Sequence, residues 1–111
     1  MLSQLENVKV KLGELVTPVN GFGLHKRAQP PTSDELVALT RQYYLTAIEC
    51  FGVERCMFES NFPVDRQSCS YRVLWNTFKK LVHDFSTDER DQLLYRTAME
   101  TYRIDAEGSA V

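Results

Sequence analysis

The chain is poor in the residues that most directly announce a special chemistry. Of its 111 residues, two are histidine and three are cysteine. Cys50, Cys56 and Cys69 are odd in number and form no C-x-x-C pair, which argues against a disulfide framework and a cysteine zinc site. Reduced thiols are expected, two of them in apolar surroundings typical of buried cysteine. His25 and His83 stand far apart with no cysteine beside them, so the chain is not expected to hold a complete metal site of three or four ligands. No apolar run approaches the roughly 20 residues that span a bilayer, and the N-terminus lacks the basic-then-apolar pattern of a secretory signal. Neither sign of charge dominates: 13 basic against 15 acidic residues leave a net charge of −2, too weak a field for nucleic acid or an anionic membrane. A cytoplasmic chain is expected, with neither nucleic acid nor membrane as partner. There is no internal repeat and no low-complexity tract. GFG at Gly21 to Gly23 lacks the spacing of a phosphate loop, and Ser60 lacks the flanking glycines of a nucleophile elbow.

What remains is the composition of one small globular domain, 43% hydrophobic and 25% charged. Val8, Val10 and Leu12 alternate with Lys9 and Lys11, predicting a strand over Asn7 to Leu12 with one apolar face. This core-like strand begins within the first ten residues, as an internal segment of a longer chain would. From Gly13 to Pro31 the chain carries three prolines, three glycines and Asn20, punctuation that predicts a long loop. Thr32 and Glu35 then form a capping-box signature. Leu36, Leu39, Tyr43, Tyr44, Ala47, Ile48 and Phe51 follow at helical spacing, and Gly52 supplies the stop. Cys56, Met57 and Phe58 read as a strand buried on both faces, ended by Pro63. Tyr71, Leu74, Trp75, Phe78, Leu81 and Val82 mark a second helix, with His83 late in it, and Ser86 with Glu89 opens a third through Leu93, Leu94, Ala98 and Tyr102. Residues 106–111 have nothing to pack and are expected to be a disordered tail. Two strands joined by a long helix make a right-handed crossover unit with parallel strands. Such a pair belongs in a larger helix-covered sheet, which implies more chain or a partner.

The order and wording of these segments resemble the ending of amidohydrolase-related proteins. NVKVKL over Asn7 to Leu12 is similar to that family's penultimate strand. Phe51, Gly52, Arg55, Met57, Phe58, Ser60 and Pro63 match the last-strand pattern F-G-x-x-R-x-M-F-G-S-D-W-P, and Thr97, Ala98, Tyr102 and Ile104 correspond to the terminal helix. The resemblance implies an α/β fold, the C-terminal portion of a (β/α)8 TIM barrel over residues 1–105. This portion would hold two parallel strands with a crossover helix and then two C-terminal helices. It also implies a metal-dependent hydrolase acting on a small organic, carboxylate-bearing molecule, with a divalent, zinc-type ion whose histidine ligands come from strands absent here. The isolated piece would then be inactive. The alternative is a non-catalytic binding or barrel-complementing protein of the same descent, prone to self-association through exposed barrel edges.

The departures from the family pattern lie where its chemistry would sit. Glu59 replaces a glycine, and Asn61 replaces the aspartate that implies metal contact and proton transfer; asparagine cannot be that base. Glu59, Asn61 and Asp65 are the candidate catalytic residues, at or just beyond the C-terminal end of the last strand. Strand alternation places Glu59 and Asn61 on one side, making Glu59 one candidate for the missing carboxylate and Asp65 another. Structurally, Glu59 could instead pair with Arg55, Arg66 or a basic group outside this sequence. His25 and Arg27 are candidate substrate contacts on the loop after the first strand, the histidine by hydrogen bonding or proton movement, the arginine by a bidentate carboxylate pair. Both are equally at home in water.

Overall fold

The computed structural model describes residues 1–105, so the expected tail over 106–111 lies outside the described residues. Two strands, β1 (Val10–Leu12) and β2 (Cys56–Phe58), run parallel in the register Val10↔Cys56, Lys11↔Met57, Leu12↔Phe58. The first is shorter than the Asn7 to Leu12 expected from alternation. Strand length is set by the partner, and β2 begins at Cys56, opposite Val10. All three residues of β2 are buried, as a strand covered on both faces requires.

Between the strands runs α1 (Ser33–Phe51), the crossover helix. Its capping box is formed: Thr32 Oγ1 accepts from the Glu35 amide and Glu35 Oε1 accepts from the Thr32 amide, each at 3.2 Å. Gly52, at φ 82°, ends it in a conformation that a side chain would oppose. Leu36, Thr40, Tyr44 and Ile48 form the buried stripe at four-residue spacing. Leu39 and Tyr43, expected on the apolar face, fall beside that stripe and are 36% and 50% exposed.

Helix α2 (Tyr71–Leu81) starts at Ser70, whose hydroxyl accepts from the Val73 amide, and buries Leu74, Phe78 and Leu81. It stops before His83, which lies on the following turn and not within the helix as expected. The expected third helix is composite: α3 (Thr87–Asp91), a π-helical turn over Gln92–Arg96, and α4 (Thr97–Tyr102). Its fully buried residues Leu93 and Thr97 anchor it to the rest, and the Thr97 hydroxyl donates to the Val53 carbonyl at 2.9 Å. Phe58 stacks on Phe78 with ring centroids 4.5 Å apart, and Tyr44 meets both rings edge-on, at 5.8 and 5.9 Å. This cluster fixes β2 between α1 and α2, each buried ring contributing about 2–3 kcal/mol. Arg55 ties down the start of the chain, donating to the carbonyls of Ser3 at 2.6 Å and Leu5 at 2.7 Å.

Candidate functional site

Because β1 and β2 are parallel, both chains leave the sheet on the same side, and the loop 13–31 meets the loop 59–70 there. The approach is close: a Cβ on Gly13 would collide with Glu59 Cγ and stand 2.8 Å from the Glu59 carbonyl oxygen. The Ser68 hydroxyl donates to the Val16 carbonyl across the same seam.

At its centre are Thr17, Asn61 and Asp65. The Thr17 hydroxyl donates to Asp65 Oδ1 at 2.6 Å, and Asn61 Nδ2 donates to both Asp65 Oδ1 and Thr17 Oγ1 at 3.1 Å. The two acceptors stand close together on one side of the Asn61 amide nitrogen, and the Asn61 carbonyl oxygen is left out of this network. Asp65 is wholly buried, and its second oxygen, Oδ2, has no hydrogen-bond partner. Its backbone carbonyl accepts from Ser68 and Cys69, so the residue also turns the loop.

Glu59 stands apart from this cluster. The strand ends at Phe58 and Asn61 adopts a left-handed conformation at φ 51°, so strand alternation does not extend to Asn61 and the two do not share a strand face as expected. Glu59 pairs with Lys11 at 3.0 Å, its side chain 24% exposed against 52% for the lysine. The carboxylate, by accepting the lysine's hydrogen bond and attracting its charge, raises the Lys11 ammonium above its ordinary value. Neither Arg55 nor Arg66, the partners considered from sequence, makes this pair; Arg55 is occupied by backbone carbonyls at Phe51, Leu5 and Ser3.

His25 and Arg27 form a second locus. Both are exposed and both border a cavity of about 280 Å³ together with Arg66 and residues 67–70. Arg27 is held by Glu35 at 2.7 Å, and this hydrogen bond keeps the Glu35 carboxyl below its usual range. Cys69 lines the same cavity, its thiol pushed up to about 11 by burial, which makes it a poor nucleophile near neutrality. Asp65 and Arg66 are adjacent in sequence but serve different places: the carboxylate turns inward to Thr17 and Asn61, and the arginine borders the cavity. Thr17 carries no motif, and Lys11 reads in sequence only as part of the first strand; the contacts of each become visible only once the two strand ends are brought together.

Among the described residues no group of three His, Cys, Asp or Glu side chains could hold a metal ion. Nor, among them, is any helix long and apolar enough to cross a membrane.

A family model described as Amidohydrolase matches residues 1–104. An uncharacterized protein of Sinorhizobium fredii (strain NBRC 101917 / NGR234), y4mH, is 48% identical over 64 residues, a stretch covering 58% of this chain and 22% of that protein. The match thus spans less than a third of the curated relative's length. No solved structure matches the chain.

Proposed function

The chain belongs to the amidohydrolase family, and from that premise we propose that it is the C-terminal part, residues 1–105, of a (β/α)8-barrel hydrolase acting on a small carboxylate-bearing molecule. The observation that carries this reading is the meeting of the loop after β1 with the loop after β2 on the side where the parallel strands end, through Thr17 with Asn61 and Asp65 and, separately, through Lys11 with Glu59. That is the side on which barrel enzymes of this architecture place their chemistry.

In this reading the three residues divide the work. Glu59 keeps a partly exposed carboxylate beside Lys11 and is the acid–base group. Asn61 presents its carbonyl oxygen to a donor on the substrate. Asp65 is buried and acts as a positioning residue, fixing the Asn61 amide and the Thr17 hydroxyl. His25 and Arg27 meet the substrate's polar and anionic parts from the neighbouring cavity. A divalent zinc-type ion would activate water in the complete enzyme, but the described residues do not supply its ligands. In this proposal they come from other strands of the barrel.

The coding sequence upstream of Met1 tests the proposal. An in-frame continuation encoding an H-x-H strand is expected, and a start signal preceded by a stop codon would sink it. In the complete protein, Glu59→Gln is expected to lower kcat at least a hundredfold on a hydrolysable substrate, the usual scale of a lost acid–base group. An undiminished kcat would remove Glu59 from that role.

A second reading has its own support. Met1, Leu2, Tyr43, Ala47 and Phe51 border an apolar hollow of about 430 Å³, with Met1 88% and Leu2 65% exposed. Together with the short two-stranded sheet, this surface suits a non-catalytic, cytoplasmic protein that binds a partner, completes another chain's barrel or self-associates. Sedimentation of the purified 111-residue chain decides it: a monomer that recruits no partner counts against this reading.

A further inference from the structure

The cavity beside the strand ends is built unlike the rest of the site. Two arginines, Arg27 and Arg66, and one imidazole, His25, border a space of about 280 Å³ that is also lined by Ser68 and Ser70. Of the cations, Arg27 is already engaged by Glu35 at 2.7 Å. Arg66 makes no ion pair among the described residues. It follows a carboxylate that is turned inward, so Asp65 does not neutralise it there. The floor is formed where the loop turns into α2, an 11-residue helix that begins after Ser70, and the partial positive charge of its N-terminus adds to the same field.

We propose that this cavity is a carboxylate subsite in which Arg66 is the principal anchor. A planar carboxylate of a small organic acid would lie against the Arg66 fork, with His25 and the outer edge of Arg27 donating from the opposite wall. The assignment rests on the carboxylate-bearing substrate proposed above and adds its anchor, a residue that neither strand pattern nor family motif singles out. It also explains the arrangement of Arg27. Paired with Glu35 through Nη1, this guanidinium has its other edge left for a ligand. Arg66 is exposed and free to close on the ligand.

The test is binding, which does not depend on catalysis. The 111-residue chain is titrated with glutarate, its dimethyl ester and inorganic phosphate, and backbone amide shifts are followed by NMR. Glutarate is expected to shift the amides of residues 24–27 and 66–70 saturably, and the ester to leave them unmoved. Arg66→Gln is expected to weaken glutarate binding roughly tenfold to a hundredfold, the scale of a hydrogen bond to a charged group. Arg66→Lys should recover only part of the loss, because lysine keeps the charge and lacks the fork. Equal binding of phosphate and glutarate, with Arg66→Lys as good as arginine, would replace the carboxylate subsite with a nonselective cationic patch. No saturable shift, or wild-type affinity in Arg66→Gln, overturns the site. If the chain is only partly folded at the assay temperature, glutarate must raise its melting midpoint, and no rise counts against the proposal. Failure here leaves the hydrolase reading standing, because that reading is decided by the upstream coding sequence and the Glu59→Gln kinetics.

Discussion

The resemblance implies an aspartate where Asn61 stands, and placing an aspartate there is the most informative single change. In the native chain Asn61 Nδ2 donates to Asp65 Oδ1 and to Thr17 Oγ1, both at 3.1 Å. Asn61→Asp exchanges the donor for an acceptor, so two carboxylates would face each other about a hydrogen-bond length apart. The lost bond to a charged acceptor is worth roughly 1.5–3 kcal/mol. Repulsion between like charges at such a distance is on the order of 5 kcal/mol at an effective dielectric near 20. Binding one proton caps the penalty, because a carboxyl can donate to its neighbouring carboxylate. A net loss of about 3 kcal/mol near pH 7 is expected from urea denaturation followed by Trp75 fluorescence. The folded variant must hold a proton that the unfolded chain has released, so its stability falls as pH rises. The deficit should therefore shrink as the pH is lowered to about 4, where even isolated carboxyls begin to protonate. Adding Asp65→Asn should recover more than half of the loss by restoring a donor–acceptor pair with one charge. A variant within about 0.5 kcal/mol of wild type at pH 7, or a deficit independent of pH, would refute the network as described.

Two further outcomes follow from packing and burial. Gly13→Ala would place a methyl group against Glu59 Cγ and 2.8 Å from the Glu59 carbonyl oxygen, prying the strand ends apart; denaturation should show a loss of about 1–3 kcal/mol. Burial pushes the Cys56 and Cys69 thiols from 9.0 up to about 11, so the folded chain holds protons that the unfolded chain releases. Stability at those two sites should be lost as pH rises from about 9 to about 11, and the melting midpoint should fall more steeply there than in a Cys56→Ala/Cys69→Ala chain.

The helices were legible because their signals are local. Thr32 with Glu35 and Ser86 with Glu89 make reciprocal caps within four residues, and both are formed. The buried run Cys56 to Phe58 was equally plain. What escaped depends on neighbours distant in sequence. The first strand is cut short because its pairing with Cys56 begins only at Val10. Lys11, not an arginine, meets Glu59, because the register brings the ends of β1 and β2 together and Gly13 allows the close approach. The π turn at Gln92–Arg96 leaves no compositional trace; it is followed by Thr97, whose hydroxyl reaches the Val53 carbonyl across 44 residues of sequence.

The same distinction separates the parts of the candidate site. The resemblance implies a carboxylate where Asn61 stands; the structure shows that the carboxylate beside Asn61 is Asp65, four residues on, wholly buried and joined to both Asn61 and Thr17. Asparagine suits this position for two physical reasons. Its amide can satisfy Asp65 Oδ1 without adding a second negative charge, and its short polar side chain tolerates the left-handed backbone at φ 51°. The position is thus specified by its network, whatever chemistry the chain takes part in. In the proposed hydrolase, acid–base work falls to the more accessible Glu59, which stands beside a lysine from the other strand. That proposal joins two features of one loop: an asparagine held by Asp65 and Thr17, and a glutamate that meets Lys11 where the two strands end.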